Sequence, residues 1–215
     1  MIYAHFRRLM PLVLGLFLTV AAGCASSPPS RFYVLSPLEN PQPATSDSSQ
    51  AARIIVAIGP VAIPDYMDRP QIVTRSGRNE AVVNDFDRWS GSLEDDISRV
   101  LVENLSSSLP VELFRVVRWT PSLQPHLQIQ YRVTIDVMRI ELSPSGPVSL
   151  SAQWTIVNEE TKSLVMARET NISESVSGSD FAGMVAALSR ALATLSSDMT
   201  GAIGNSILMG DEKDQ

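Results

Sequence analysis

Hydrophobic and polar positions recur along this chain with two different periods, and the period assigns most of its elements. The clearest run is Leu127, Ile129, Tyr131, Val133, Ile135 and Val137, interleaved with Gln128, Gln130, Arg132, Thr134, Asp136 and Met138. A period of two with one apolar side predicts a strand with one covered face. The phase flips after Met138, where Ile140 and Leu142 become the apolar positions, so a bulge or the strand's end falls near Arg139. Ser143-Pro144-Ser145-Gly146-Pro147 is a turn, after which Val148, Leu150, Ala152, Trp154 and Ile156 resume the alternation. A third strand follows Asn158 to Ser163 and runs to about Ser173, giving an antiparallel meander.

Two stretches carry the helical period instead. Leu93, Ile97, Val100, Leu101 and Leu105 form one apolar stripe, Ser92 is placed to cap it, and Pro110 stops it. Glu94, Asp95 and Asp96 fall in its first turn, where the helix dipole favours negative charge. Asp95 and Asp96 resemble an acid and base pair only in sequence, because neighbours on a helix point apart. In the second stretch Phe181, Val185, Leu188, Leu192, Leu195, Met199 and Ile203 share a face, with Ser189, Arg190, Ser196 and Ser197 away from it and Ser179 as the cap. Gly201 and Gly204 weaken its end, and residues 210–215 are expected to be disordered.

Upstream of the first helix, Arg53 to Ile58 is apolar at nearly every position and reads as a strand covered on both faces, broken by Gly59-Pro60. Pro64 and Pro70 bracket Asp65-Tyr66-Met67-Asp68-Arg69, and each proline restricts itself and the residue before it, so this loop is expected to be stiff. Gln71 to Arg75 and Glu80 to Asn84 flank Ser76-Gly77-Arg78-Asn79 as a hairpin, and Phe86 to Trp89 lead into the helix. Arg31 to Pro37 and Val111 to Trp119 are further strands, Pro121 to Pro125 is a turn, and Glu39 to Ala51, with no large apolar residue, is a loop. Two amphipathic helices and a sheet with one apolar face predict an α/β single domain: a mixed β-sheet with an antiparallel meander, covered by two main helices.

The first residues read as an address. Arg7 and Arg8 precede an apolar run from Leu9 to Val20, followed by Ala21-Ala22-Gly23-Cys24. The run is shorter than the roughly 20 residues a spanning helix needs, so residues 1–23 are a signal peptide. Small residues before a Cys look like a bacterial lipobox, which makes Cys24, the one cysteine of the chain, a lipid-attachment site. Ala25 to Ser30 is then a short tether, reaching at most ~20 Å at about 3.5 Å per residue.

Without the leader, 15 of the 17 basic residues remain against 23 acidic ones, a charge of −8. Such a surface is poorly suited to a nucleic-acid backbone or an anionic leaflet. Reactive equipment is scarce. His126 is the one histidine after the leader, with no second ligand to share a metal and no Gly-x-Ser-x-Gly to pair with as a hydrolase base. No Walker-type loop is present, so this chain does not itself hydrolyse nucleotide, and no cofactor is expected. Trp89, Trp119 and Trp154 are too scattered for a base-stacking platform and read as core or interface.

Gly59-Pro60-Val61, Pro64-Asp65-Tyr66, Asp68-Arg69-Pro70-Gln71-Ile72-Val73-Thr74-Arg75 and Arg88-Trp89, with Phe32-Tyr33-Val34-Leu35-Ser36-Pro37 upstream, closely resemble the ABC-type transport auxiliary lipoproteins, the PqiC-like family. The family often continues Arg-Trp with Ala-Glu-Pro-Leu, where this chain has Ser90-Gly91-Ser92-Leu93. The resemblance implies a non-enzymatic periplasmic lipoprotein, sorted to the outer membrane because Ala25 and not Asp follows Cys24, that serves a transporter moving lipid between envelope membranes. It implies an MCE-domain protein as partner, with a homo-oligomer around that partner left open. Within the stiff loop, Tyr66, Met67 and Arg69 are the candidate partner contacts, since a preordered loop loses little entropy on binding; the alternative is that they only brace the fold. A lipid-binding module, which would need an internal apolar cavity, and an envelope hydrolase built on His126 are the other readings.

Overall fold

The computed structural model describes residues 28–38, 54–77, 79–122, 127–144 and 146–211, with side chains to residue 207. The leader, Cys24, the 39–53 segment and His126 lie outside the described residues. Among the described residues, eight strands and two helices follow in the order β1 (Arg31–Tyr33), β2 (Ile54–Ala62), β3 (Gln71–Arg75), β4 (Ala81–Trp89), α1 (Leu93–Ser108), β5 (Phe114–Arg118), β6 (Tyr131–Glu141), β7 (Val148–Asn158), β8 (Leu164–Glu174) and α2 (Phe181–Asp211).

The strands form two sheets rather than the one expected. The larger runs β5-β2-β6-β7-β8 and the smaller β1-β4-β3. In the larger sheet β2 lies parallel to both β5 and β6, while β6, β7 and β8 are antiparallel neighbours. The meander read from period two is therefore present, and its register slips between Val137 and Arg139, where the apolar phase flips. Rungs such as Ile58–Val133–Ile156 and Ile135–Trp154 put large apolar side chains in register across the sheet. Both helices bury their stripes in the same core as these rungs, with Ile97, Leu101, Leu188, Leu195 and Met199 fully withdrawn from solvent.

Several sequence expectations need correction. Gly59-Pro60 does not end β2. The strand continues to Ala62, and the register against β6 slips between Ile58 and Val61 instead. Gly59 takes a φ of +118°, which a side chain would oppose, so the irregularity is absorbed at the one residue able to adopt it. Phe86 to Trp89 are not a helix lead-in but the end of β4, because β1 pairs with Asp87, Arg88 and Trp89 in parallel. β1 itself stops at Tyr33 and β5 begins only at Phe114, after a turn through residues 111–113. β6 begins at Tyr131, four residues later than the alternation suggests.

The helices differ in detail as well. Ser92 caps α1 as expected, its hydroxyl accepting from the Asp95 N–H. At α2 the cap is Asp180 and not Ser179, its carboxylate accepting from the Gly183 N–H at 2.9 Å. Gly183 is required there, since a Cβ would meet the Ser177 carbonyl oxygen at 2.3 Å. Gly201 and Gly204 do not fray the helix, because Ala202, Ile203 and Ile207 remain buried on its core side; it runs through Gly210 to Asp211. Ser196, expected on the outer face, is fully buried: its hydroxyl donates to the Leu192 carbonyl at 2.8 Å and accepts from Asn104 Nδ2 at 3.2 Å.

The chain beyond β1 is an arm held by side chains. Asp96 accepts the Leu35 N–H at 2.7 Å, and Arg99, itself bound to Asp96, donates to the Leu35 carbonyl at 2.6 Å. One acid–base pair on α1 thus satisfies both backbone groups of the buried Leu35, as a neighbouring strand would. Burial pulls the Arg99 guanidinium down, but its hydrogen bonds to Asp96 and Glu103 outweigh that and hold it above its ordinary value. Ser189 of α2 receives the Ser36 N–H, and Asn104 of α1 receives that of Leu38.

At the β7–β8 turn, Glu159 is buried between two cations, Arg132 and Lys162, with its own N–H on the Gln130 carbonyl. The Lys162 hydrogen bond and the Arg132 partner hold its carboxyl below the usual range, against the opposing effect of burial. Its pKa is depressed on folding, so its contribution is complete above the unfolded-state value and is lost as pH falls through the folded one. Glu159→Gln should therefore lower stability at neutral pH by about 1.5–3 kcal/mol, the scale of hydrogen bonds to charged groups, and the deficit should shrink in acid. Urea titrations of both proteins at neutral and acidic pH check this; a pH-independent deficit would contradict the assignment.

Candidate functional site

The loop between β2 and β3 folds into consecutive tight turns. The Met67 N–H donates to the Pro64 carbonyl at 2.8 Å, Asp68 to Asp65 at 3.2 Å, and Arg69 to Met67 at 2.8 Å. The Pro70 carbonyl then accepts the Trp89 N–H at 2.8 Å, tying the loop's exit to the end of β4. Prolines at both ends and a closed set of backbone bonds leave the loop little conformational freedom to lose on binding.

The three loop residues singled out in the sequence have different fates. Met67 is 1% exposed and belongs to the hydrophobic core, so it is no surface contact; its side chain pins the loop from beneath. The sequence could not reveal this, because the turn that buries Met67 leaves its neighbours outside. Tyr66 is 40% exposed, with its hydroxyl donating to the Ile140 carbonyl at 2.9 Å and accepting the Ile140 N–H at 3.3 Å. Those bonds fix the ring and leave one side of it to solvent. Arg69 is exposed and makes no ion pair among the described residues, so Asp68-Arg69 is no charged couple. The structure adds Met138, 57% exposed at the β6 bulge two residues from Ile140. Its signal in the sequence was the phase flip at Arg139, which turns an apolar residue outward.

Other polar clusters are internally satisfied. Asp87 is buried and takes the Tyr33 hydroxyl and the Arg31 Nε, both at 2.9 Å. Burial, then the Asp87 hydrogen bond, raises the Tyr33 pKa, and Asp87 raises that of Arg31. Asp95 pairs with Arg118 and Asp96 with Arg99, so the adjacent carboxylates serve separate partners. Among the described residues no His, Cys, Asp and Glu grouping has metal-site geometry. A cleft of about 690 Å³ lies between the arm and α2, lined by Val34, Leu38, Val185 and Ala186 among others. It is an open groove on the surface rather than the enclosed apolar chamber a lipid-binding module would need.

The helix-backed mixed-sheet α/β fold is shared with two crystal structures. One is of an uncharacterized protein, with a TM-score of 0.66 and 20% identity over 81% of this chain and 99% of that one. The other is protein XCC0632 from Xanthomonas campestris, with a TM-score of 0.65 and 18% identity over 86% of this chain and all of that one. The chain belongs to the ABC-type transport auxiliary lipoprotein component family, whose model matches residues 33–200. It is 24% identical to the intermembrane transport lipoprotein PqiC of Escherichia coli strain K12 over 135 residues, 63% of this chain and 67% of that one. The family is one of membrane-associated lipoprotein components auxiliary to transport, not a family of enzymes. Among the described residues no helix is long and apolar enough to cross a membrane.

Proposed function

We propose that the chain is an outer-membrane-anchored periplasmic lipoprotein that serves as the docking subunit of an MCE and ABC-type system moving lipid between envelope membranes. The observation that carries this reading is the family match beginning at residue 33, directly downstream of the lipobox that ends at Cys24. The likeness to a lipoprotein named for intermembrane transport supports a role in transport between membranes, and Ala25 after Cys24 supports the outer membrane. Cys24 supplies location, and the folded body supplies a surface for the MCE-domain partner.

On that surface Tyr66 and Arg69 are the contacts, held in place by Met67 below them. Tyr and Arg are frequent anchors of protein interfaces, and truncating such an anchor costs about 2 kcal/mol or more, roughly thirtyfold in affinity. Arg69→Ala should fold normally, because its side chain is exposed and unpaired among the described residues, and should weaken capture of the MCE-domain partner by that factor. Full capture by the folded variant would remove the loop from the interface; absence of capture by the unaltered protein would remove the partner.

A further inference from the structure

We propose that Met138 is a regulatory oxidation site, at which a two-electron oxidant such as hydrogen peroxide converts the thioether to a sulfoxide and weakens docking of the partner; the regulatory half rests on the docking surface proposed above. Thioether oxidation follows solvent access, and the described methionine side chains differ sharply in it. Met67, Met184 and Met199 are buried in the core, and Met166, opposite Ile156 in the sheet, is half-buried against it. Met138 alone among them is exposed, at 57%. The cause lies in the backbone. Val137 pairs with Ala152 and Arg139 with Ser151, so Met138 is the extra residue of the β6 bulge and has no partner in register.

Its position couples that reactivity to the loop. The pairing of β6 with β2 ends at Asp136, and the Tyr66 hydroxyl holds both backbone groups of Ile140. Met138 stands midway between them, about 7 Å along the strand from Ile140 at roughly 3.3 Å per residue. An adaptable thioether beside a fixed tyrosine ring suits an apolar contact, and oxidation removes that character. The sulfur gives an electron pair to one peroxide oxygen, and an S–O bond forms as the O–O bond breaks. The proton on the transferred oxygen goes to the departing hydroxide, which leaves as water, so sulfur is oxidised and peroxide reduced by the same electron pair. The product carries a strongly polar S=O acceptor, and burying it at an interface without a donor is unfavourable. Because Met138 packs in no core, the fold is untouched. A sulfoxide reductase supplied with a dithiol reverses the step, returning the oxygen as water and leaving a disulfide.

Treating the acylated full chain with hydrogen peroxide tests this. Peptide mass mapping over time should show Met138 gaining one oxygen atom severalfold faster than Met67, Met166, Met184 or Met199. Protein converted at Met138 should keep its urea midpoint and lose capture of the MCE-domain partner by about tenfold, the scale of one polar group left unsatisfied at an interface. Methionine sulfoxide reductase with dithiothreitol should restore capture. Met138→Leu, which nearly keeps the volume and has no sulfur to oxidise, should retain capture in peroxide. Oxidation of Met138 no faster than that of the buried methionines, or full conversion with capture unchanged, overturns the proposal. So does an equal loss of capture in the Met138→Leu variant. Failure of the untreated protein to capture the partner refutes the docking surface and the regulation with it, while the mass map still decides whether Met138 is the oxidation site.

Discussion

Replacing residues 1–24 by an ordinary cleavable secretory leader, so that the mature chain begins at Ala25, should release the protein from the membrane fraction into the soluble periplasmic fraction. Cys24→Ser in the otherwise unaltered chain should abolish incorporation of radiolabelled palmitate. Each buried methylene contributes about 0.8 kcal/mol and a single acyl chain binds only reversibly, so several chains on one residue change the partition by orders of magnitude. The described part of the chain has no helix suited to crossing a bilayer. Transport function should fall with the loss of anchoring even though the fold is intact, since docking from solution gives up the high local concentration that a surface provides. Palmitate labelling that persists in the Cys24→Ser variant would place the attachment elsewhere.

The largest effect on stability is expected at Trp154. Its side chain is 1% exposed, opposes Ile135 across the sheet, donates its indole N–H to the Thr170 hydroxyl at 3.1 Å, and lies under the Arg168 guanidinium. Trp154→Ala removes the packing and opens a cavity that rigid strands on both sides cannot close, at about 3–5 kcal/mol. Against a total near 5–15 kcal/mol for a domain, that fraction should be plain as a shift in the urea midpoint. Trp154→Phe keeps most of the volume and leaves Thr170 without its donor, so a smaller loss for Phe than for Ala separates packing from the hydrogen bond. A loss under about 1 kcal/mol for the Ala variant would contradict a core position.

What could be read from the sequence was whatever solvent had imprinted on one face. β6 and β7 have one covered face, so their alternation survives in the residue order, and even the bulge after Val137 shows as a change of phase. β2 is covered on both faces, so Gly59-Pro60 offered no periodic evidence that the strand resumes at Val61. The second sheet was hidden for another reason. β1 is only 3 residues long, and its pairing with β4 joins residues far apart in sequence that no local pattern connects. The sequence reads Asp96 as a dipole-complementing charge and places Ser196 away from the apolar face, yet each is positioned to satisfy a distant polar group. At the candidate site the prolines bracket a loop that backbone hydrogen bonds close into tight turns, whereas the inward turn of Met67 depended on the core beneath it.

The clamp on Leu35 bears on how this body meets tension. In the anchored docking subunit proposed above, a pull on the chain before Arg31 would enter the folded body at β1. Hydrogen bonds of a sheet run across the strands, so the rungs to β4 are sheared together rather than peeled one after another. Past Tyr33 the strain passes to Asp96, Arg99, Asn104 and Ser189, and through them to both helices. The arm thus spreads a load entering at β1 over both helices.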